Sequence, residues 1–484
     1  MSNLKQQGIK AFIWDFSGKL ASQGVSFVIS IFLARLLEPA EFGLIAMIMV
    51  VIGMASVFTD VGLGSALIQR KRVLPVHYAS VFYFNVFVGL LLTLITYCSA
   101  GWIAQLYQND ALLPLAQVMS LSFVINGFGS VQSTKLRKEL NYAVLTKAGF
   151  IAGLIGGMVG VTLAFQDFGV WSLVAQTLIS GVAYNILLWS WSQWKPSWLF
   201  SVKALKQLWG FGFRMFLAEL LNAIFTRLDY LIIGKLFLPV TLGFFQRAKS
   251  LNILVIQYSS GSLMSILFPL FSQVKNDLPR FQRIVIKALG IICFIVFLLL
   301  GELYLLSEEL IVFIYSEKWL PSVNYFQLLL LSGFGYPISS LLINVLTSRG
   351  NSKIILRIQI YKNIINSVNL SFVFLWGIEG YLYGLIITTI VGVSLNVFAV
   401  SHEIKIPVYD FFRIILMQCI VVISSVLITV NAVNYFYVMP IYLFFVKGVL
   451  FIIFYLTLSR IFKTSSYQST LEQFFCFFRK TNTI

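Results

Sequence analysis

The segment ARLLEPAEFG at residues 34–43 decides the fold, because a related segment, GKLFLPVTLG, recurs at residues 234–243. At an offset of 200 residues the two segments share a basic residue, a Leu, a Pro and a Gly. Each segment separates the first long apolar run of its half of the chain from the second. The pattern predicts two copies of one helix bundle joined in a single chain.

The apolar runs beside these segments continue through the whole chain. Of 484 residues, 59% are hydrophobic and 11% are charged, whereas about a quarter of the residues of a soluble domain are charged. This composition excludes a soluble enzyme, a nucleic-acid-binding domain and a disordered scaffold, and it predicts an all-α integral membrane protein. Runs of roughly 20 apolar residues predict fourteen membrane spans, with twelve or thirteen as alternatives, at 11–34, 41–65, 79–101, 111–131, 147–166, 168–191, 208–234, 240–270, 284–305, 322–346, 354–376, 380–401, 409–431 and 438–460.

The charges test this division, because Lys and Arg concentrate in cytoplasmic loops. With the N-terminus inside, most of the 35 Lys and Arg fall on the cytoplasmic side, Lys362 being counted with the basic loop around Arg349. The outer loops receive only Arg35, Lys235 and Lys318. The sequence therefore predicts that both termini are cytoplasmic. It also explains the net charge of +17 through topology and contact with anionic lipids rather than nucleic acid.

The repeat also predicts the domain organisation. Six spans, an even number, separate the two copies, so both copies run in the same direction and are related by a pseudo-twofold axis along the membrane normal. The predicted domains are an N-terminal six-helix lobe at 1–200, a C-terminal six-helix lobe at 201–405, and two additional helices with a cytoplasmic tail at 406–484. Gly149, Gly153 and Gly157 lie four residues apart in the fifth span and predict close helix packing.

Ionisable side chains within spans are costly and normally face a bundle interior or a wet cavity. They concentrate in the first two spans of each predicted lobe. We predict a cationic substrate cavity formed by Lys19, Arg214, Arg227, Arg247 and Lys249. Candidate ion-coupling carboxylates are Asp15, Asp60, Glu219 and Asp229. The alternative is that these charges neutralise one another or lie at the membrane interface.

An excess of Lys and Arg over carboxylates in the cavity favours an anionic substrate such as a diphosphate. A drug exporter for organic cations would need the opposite sign. The four Cys are far apart and there are only two His, so no disulfide framework, metal site, cofactor or catalytic residue is predicted. Coupling to H⁺ or Na⁺ through a carboxylate stays open, because burial and neighbouring cations shift its protonation in opposite directions.

Several separated segments resemble the polysaccharide transporter (Wzx-type) branch of the MOP flippase superfamily. They are FLARLLEPAEFG at 32–43, FTDVGLGSALIQ at 58–69, DYLIIG at 229–234, LGFFQRA at 242–248 and TSRG at 347–350. The resemblance covers the first twelve predicted spans. It implies a two-lobed, MATE-like fold. The related lipid II flippase has several arginines in its first two spans, whereas here those spans offer Lys19, with Arg35 at the outer boundary, which shifts the expected headgroup contacts toward Arg214, Arg227, Arg247 and Lys249.

The resemblance implies a flippase that moves undecaprenyl-diphosphate-linked oligosaccharide repeat units across the bacterial inner membrane for lipopolysaccharide O-antigen or exopolysaccharide biosynthesis. Its expected partners are the polyprenyl-diphosphate-linked glycan, membrane lipids and the polysaccharide polymerase machinery. The alternative is a MATE-type, cation-coupled drug or metabolite antiporter. A membrane-embedded polymerase or ligase is disfavoured, since the chain lacks the large extramembrane loop that such an enzyme usually needs.

Overall fold

The computed structural model describes residues 2–274, 276–434, 440–464 and 466–470. The side chains of Asp15 and Lys19, both predicted site residues, lie outside the described part of the chain, as does most of the predicted cytoplasmic tail. Within the described ranges the regular elements are helices. This confirms the all-α prediction for those residues.

Twenty α-helices and one 3₁₀ turn, at Glu317–Trp319, form the described chain. The helices are α1 (Ser2–Leu36), α2 (Pro39–Ala55), α3 (Val57–Asp60), α4 (Leu63–Gln69), α5 (Pro75–Cys98), α6 (Ala100–Tyr107), α7 (Leu112–Met119), α8 (Leu121–Lys138), α9 (Tyr142–Phe165), α10 (Val170–Trp191), α11 (Val202–Leu236), α12 (Pro239–Val274), α13 (Leu278–Leu305), α14 (Ser307–Tyr315), α15 (Ser322–Gly333), α16 (Gly335–Ser348), α17 (Ser352–Leu370), α18 (Phe372–Ile404), α19 (Val408–Val433) and α20 (Pro440–Ile461).

Ten helical segments of the described chain are long and apolar enough to cross a membrane. Four long helices, α1, α11, α12 and α17, overlap predicted spans but are not among these ten segments. Polar and charged side chains lower the hydropathy of α11 and α17, and the described apolar part of α1, Leu20–Leu36, is shorter than a span. The prediction of a multi-spanning membrane protein is therefore confirmed. The number of fourteen spans stays a prediction.

Two boundaries between predicted spans, at 166–168 and at 376–380, are breaks in the structure. Between α9 and α10 the chain turns at Asp167, which has a positive φ of 59°. Near the eleventh and twelfth predicted spans, Trp376 and Gly377 have non-helical backbone angles inside α18, with φ of 68° at Gly377. Glycine adopts this conformation at little steric cost, which explains why the break falls there.

The chain divides into two compact units, Met1–Gln246 and Arg247–Ile484. The predicted domains at 1–200, 201–405 and 406–484 stay a prediction. In the first unit, α9 packs against α1 and α10, α5 packs against α8, and α11 packs against α2 and α4. An apolar cluster that includes the buried Leu67, Phe82 and Leu208 joins α4, α5 and α11.

In the second unit, α13 packs against α19, α19 against α20, and α18 against α15, α16 and α17. The buried Phe294, Val421, Phe451 and Tyr455 form the cluster between α13, α19 and α20. Lys447 of α20 forms an ion pair with Glu309 of α14. This pair explains a lysine within a predicted span without any role in transport.

The glycines of α9 divide between two environments. Among the described residues, a Cβ added to Gly149 or Gly153 would meet nothing within 4 Å. Gly156 and Gly160 instead lie against α10, where a Cβ would crowd Ser180 and Gln176. The predicted close packing is therefore correct for Gly157, where a Cβ would overlap Ile29 of α1, but wrong for Gly149 and Gly153, because the tight face starts one turn later.

Candidate functional site

The two repeated segments contact each other within the first unit. Both have the same form, since α1 ends at Leu36 and α2 begins at Pro39, while α11 ends at Leu236 and α12 begins at Pro239. Proline suits the first turn of a helix because the N–H that it lacks has no partner there. The repeat found in the sequence therefore marks two equivalent helix–proline–helix corners.

The contact between these corners is reciprocal. A Cβ on Gly43 would overlap the carbonyl of Pro239, and a Cβ on Gly243 would overlap the carbonyl of Pro39. Each glycine thus makes room for the backbone of the other corner. A local twofold relation between the corners produces this exchange of partners, as the sequence repeat requires.

Helix α11 remains close to the α2–α4 segment well beyond these corners. Near the other end of α11, the backbones of Gly212 and Gly62 approach so closely that a Cβ on Gly62 would overlap the carbonyl of Gly212. Gly62 has a φ of 71°, a conformation that favours glycine. The first helix of the second repeat therefore lies along the second predicted span of the first.

Arg227 lies within this α2–α11 contact. Its Nη1 donates a hydrogen bond to the carbonyl of Met49 at 3.0 Å. A Cβ on Gly53 would overlap the Arg227 guanidinium. The guanidinium is thus held on α2 by the carbonyl of Met49, one turn before Gly53. The described hydrogen bonds use only one of the five N–H donors of Arg227.

The other predicted residues of α11 lie in different environments. Arg214 and Glu219 are exposed, whereas Asp229 is buried. The Oδ1 atom of Asp229 accepts a hydrogen bond from the backbone N–H of Tyr230 at 2.9 Å. The helix therefore presents Arg214 to its surroundings and keeps Asp229 within the protein.

Asp60 lies at the break between α3 and α4, where Val61 and Gly62 both have positive φ. Its carboxylate accepts hydrogen bonds from the backbone N–H of Gly64, at 2.9 and 3.1 Å to the two oxygens. Nδ2 of the buried Asn85 donates to Asp60 at 3.0 Å and to Ser130 at 2.8 Å. The carboxylate is thus fixed by neutral donors.

Two further buried oxygen atoms belong to Thr59, which precedes Asp60 in the chain, and to Asn85, which donates a hydrogen bond to Asp60. Oγ1 of Thr59 and Oδ1 of Asn85 are buried and have no hydrogen-bond partner in the described structure. Buried polar atoms usually have a partner. Asp60, Asn85 and Ser130 therefore form a polar network, and the Oδ1 atom of Asn85 in this network has no described donor.

Arg247 belongs to the second unit, where it is buried. Its guanidinium carbon lies 5.6 Å from the ring centroid of Tyr315 and 5.9 Å from that of Trp319. Both aromatic side chains are themselves buried. Cation–π contacts of this kind stabilise a desolvated guanidinium. Lys249, two residues further along α12, is half-buried.

Residues 32–324 match the family described as polysaccharide biosynthesis protein. The chain belongs to this family. An uncharacterized membrane protein in the cps region of Klebsiella pneumoniae is 26% identical over 404 residues, which are 82% of each chain. The lipopolysaccharide biosynthesis protein WzxC of Escherichia coli is 25% identical over 351 residues, or 70% of each chain. The resemblance stated from the sequence is confirmed.

The lipid II flippase MurJ, in an inward closed conformation, has the same fold. The TM-score is 0.73 at 18% sequence identity, over 93% of this chain and 98% of that structure. The predicted fold class of this polysaccharide biosynthesis protein is thereby confirmed. Which of its intramembrane charges bind substrate or a coupling ion stays a prediction.

The second unit of this polysaccharide biosynthesis protein contains a polar cavity that the sequence analysis did not predict. Lys362, counted above with the cytoplasmic loop, lines this cavity from the middle of α17. Gln359, Lys362 and Asn366 are three and four residues apart, so they share one face of the helix. That spacing was the signal that could have identified the cavity from the sequence.

Proposed function

We propose that this protein translocates polyprenyl-diphosphate-linked oligosaccharide units across the bacterial inner membrane during polysaccharide biosynthesis. The observation that carries the proposal is the family match over residues 32–324 in a chain with the fold of a lipid II flippase. Both termini would be cytoplasmic. The protein would act as a transporter rather than an enzyme, handing its glycan to the polymerase machinery outside.

The diphosphate headgroup is proposed to bind the cations of α11 and α12. Arg214 is exposed on α11, and Arg227 has donors beyond the one that binds Met49. Guanidinium groups suit phosphate oxygens because they can donate two parallel hydrogen bonds. Arg247 and Lys249 would add to the positive field, and Lys19 would contribute from the first predicted span.

Asp60 is the carboxylate that we propose for coupling transport to H⁺ or Na⁺. The oxygen atoms of Thr59 and Asn85 that have no described hydrogen-bond donor support this role, because Na⁺ is a hard cation like those that prefer oxygen ligands, and a proton on Asp60 would supply the missing donor. For Asp15, Glu219 and Asp229 we propose the alternative role, in which these carboxylates neutralise neighbouring cations.

The test uses purified protein in liposomes that contain a fluorescent polyprenyl-diphosphate oligosaccharide. Chemical quenching from outside measures how much substrate has crossed the bilayer. We expect the protein to accelerate equilibration between leaflets, and Arg214→Glu to slow it by at least about tenfold, the loss of a charge-assisted hydrogen bond. No acceleration, combined with export of a cationic drug by the same liposomes, would favour the antiporter instead.

A further inference from the structure

The cavity that contains Lys362 lies entirely within the second unit, and nothing in the proposed headgroup site uses it. It has a volume of about 440 Å³ and is lined by α15, α16, α17 and α18, with one residue from α12. Small-ligand pockets measure roughly 300–1,000 Å³. The cavity therefore has room for a small polar molecule or for one part of a larger one.

Lys362 is the only charged side chain among the described residues that line the cavity. It lies ten residues from the start of α17 at Ser352, a distance of about 15 Å along the helix. That is about half the thickness of a bilayer core. Lys362 also lies within the predicted span 354–376, and an ionisable side chain within a span is costly and marks a functional site by default.

The space for Lys362 is provided by a glycine on the facing helix. A Cβ added to Gly392 of α18 would lie 3.2 Å from the Cε atom of Lys362 and 3.8 Å from its Cγ and Cδ atoms. The stem of the lysine thus lies along α18, which leaves the ammonium group near the cavity. Any larger residue at position 392 would crowd the stem.

The remaining polar lining consists of neutral groups that both donate and accept hydrogen bonds. Hydroxyls come from Ser339, Ser340 and Thr388, and amides come from Gln359 and Asn366. Sugar hydroxyls have the same dual character, so these groups match a carbohydrate. Tyr336, which is 59% exposed, adds an aromatic face to the wall.

The charge of the lining selects among polar ligands. A diphosphate carries several negative charges and is best bound by more than one cation, often bidentately by Arg. One ammonium group among hydroxyls and amides instead matches one carboxylate on a hydroxylated ring. We infer that the cavity binds an acidic sugar residue of the transported glycan, with Lys362 bound to its carboxylate. This inference rests on the proposed function.

The probe is D-glucuronate, with D-glucose as its neutral counterpart. Binding of each sugar to the full-length protein in lipid nanodiscs is measured by saturation-transfer NMR titration. We expect glucuronate to bind at least about tenfold more tightly than glucose, as a charge-assisted hydrogen bond implies. Lys362→Gln should remove this preference without abolishing glucose binding, and Gly392→Ala should weaken it by crowding the lysine.

Lys353→Gln is the matched control, because Lys353 is an exposed lysine in the first turn of the same helix. It should leave the preference unchanged. The inference is overturned if the wild-type protein binds both sugars equally or binds neither, or if Lys362→Gln retains the preference. Binding of inorganic phosphate that depends on Lys362, without binding of glucuronate, would also overturn it and assign the cavity to phosphate.

The liposome assay separates this inference from the proposed function. Translocation of a neutral polyprenyl-diphosphate glycan that survives Lys362→Gln, together with loss of the glucuronate preference, supports both. A protein that binds glucuronate through Lys362 but moves no lipid-linked glycan contradicts the proposed function and leaves the cavity assignment in place.

Discussion

Arg227 and Arg247, both predicted to contribute to a cationic cavity, are held by different chemistry. Arg227 donates to a main-chain carbonyl of α2, whereas Arg247 makes cation–π contacts with two buried aromatic rings. A main-chain acceptor leaves the guanidinium able to bind a further anion. Aromatic rings instead compensate for the loss of hydration around a buried charge. Arg227 is therefore the sharper test of the headgroup site.

We predict that Arg227→Glu reduces surface glycan by at least about tenfold, because a phosphate-binding donor is replaced by a repulsive charge. Arg227→Lys should retain part of the activity, since the charge is kept and the bidentate geometry is lost. The measurement is surface polysaccharide in a deletion strain, normalised to protein in the membrane. The control is Arg280→Glu, which reverses the charge of an exposed residue at the start of α13. Cells with this variant should export glycan normally. Full export by Arg227→Glu would contradict the headgroup role.

Two substitutions of Asp60 distinguish a role in coupling transport to an ion gradient from a role in folding. Asp60→Asn keeps an oxygen that can accept from the N–H of Gly64 but removes the charge. We expect normal protein levels with loss of the acceleration that an imposed H⁺ or Na⁺ gradient gives in the liposome assay. Asp60→Leu should also destabilise the protein by about 1–3 kcal/mol, because the donors of Gly64 and Asn85 lose their acceptor. Gradient-driven transport by Asp60→Asn would exclude Asp60 as the coupling group.

At the scale of helices, the α1–α2 and α11–α12 corners show how a short sequence match becomes a tertiary contact. Pro39 and Pro239 begin their helices, and Gly43 and Gly243 allow each corner to pack on the other. Close backbone packing of this kind contributes much of the helix association in membranes. The stability of the first unit should therefore be sensitive to one methyl group at either glycine.

We predict that Gly43→Ala or Gly243→Ala destabilises the protein by about 1–3 kcal/mol, the usual effect of overpacking. The control is Gly149→Ala, where the added methyl group meets no described atom within 4 Å. That change should be neutral or stabilise α9 by about 0.5–1 kcal/mol. Apparent melting temperatures of the three purified variants in one detergent provide the comparison. Equal melting temperatures for Gly43→Ala and Gly149→Ala would show that the corner contact is not tight.

These elements also show which parts of the structure the sequence could predict. The helices, the breaks near Asp167 and Gly377 and the two repeated segments depend on local apolar runs, prolines and glycines, and they were predicted. The breaks inside the predicted spans 41–65, 111–131 and 322–346 were not predicted. The aromatic partners of Arg247, Tyr315 and Trp319, lie far along the chain and share no spacing with it, so no local pattern could identify them. Lys362 was misassigned because the charge count treated it as part of a loop, although its position is well inside α17.

For the whole molecule, orientation follows from the distribution of basic residues, and it is the step on which the direction of transport depends. Several basic residues end helices, as Lys135, Arg137 and Lys138 do in the last turn of α8. Acidic residues instead begin α14, with Glu308 and Glu309 in its first turn. Because basic loops are retained in the cytoplasm, these two helix ends should lie on opposite sides of the membrane.

We predict that reporter fusions at Lys71, Arg137, Lys203 and Arg349 report cytoplasm, and that fusions at Asp110, Asp167 and Glu309 report periplasm. Alkaline phosphatase, active only outside, and green fluorescent protein, fluorescent only inside, give complementary signals at each position. Alkaline phosphatase activity at Arg137 or Arg349 would contradict the predicted orientation. It would also contradict the direction in which the proposed flippase moves its glycan.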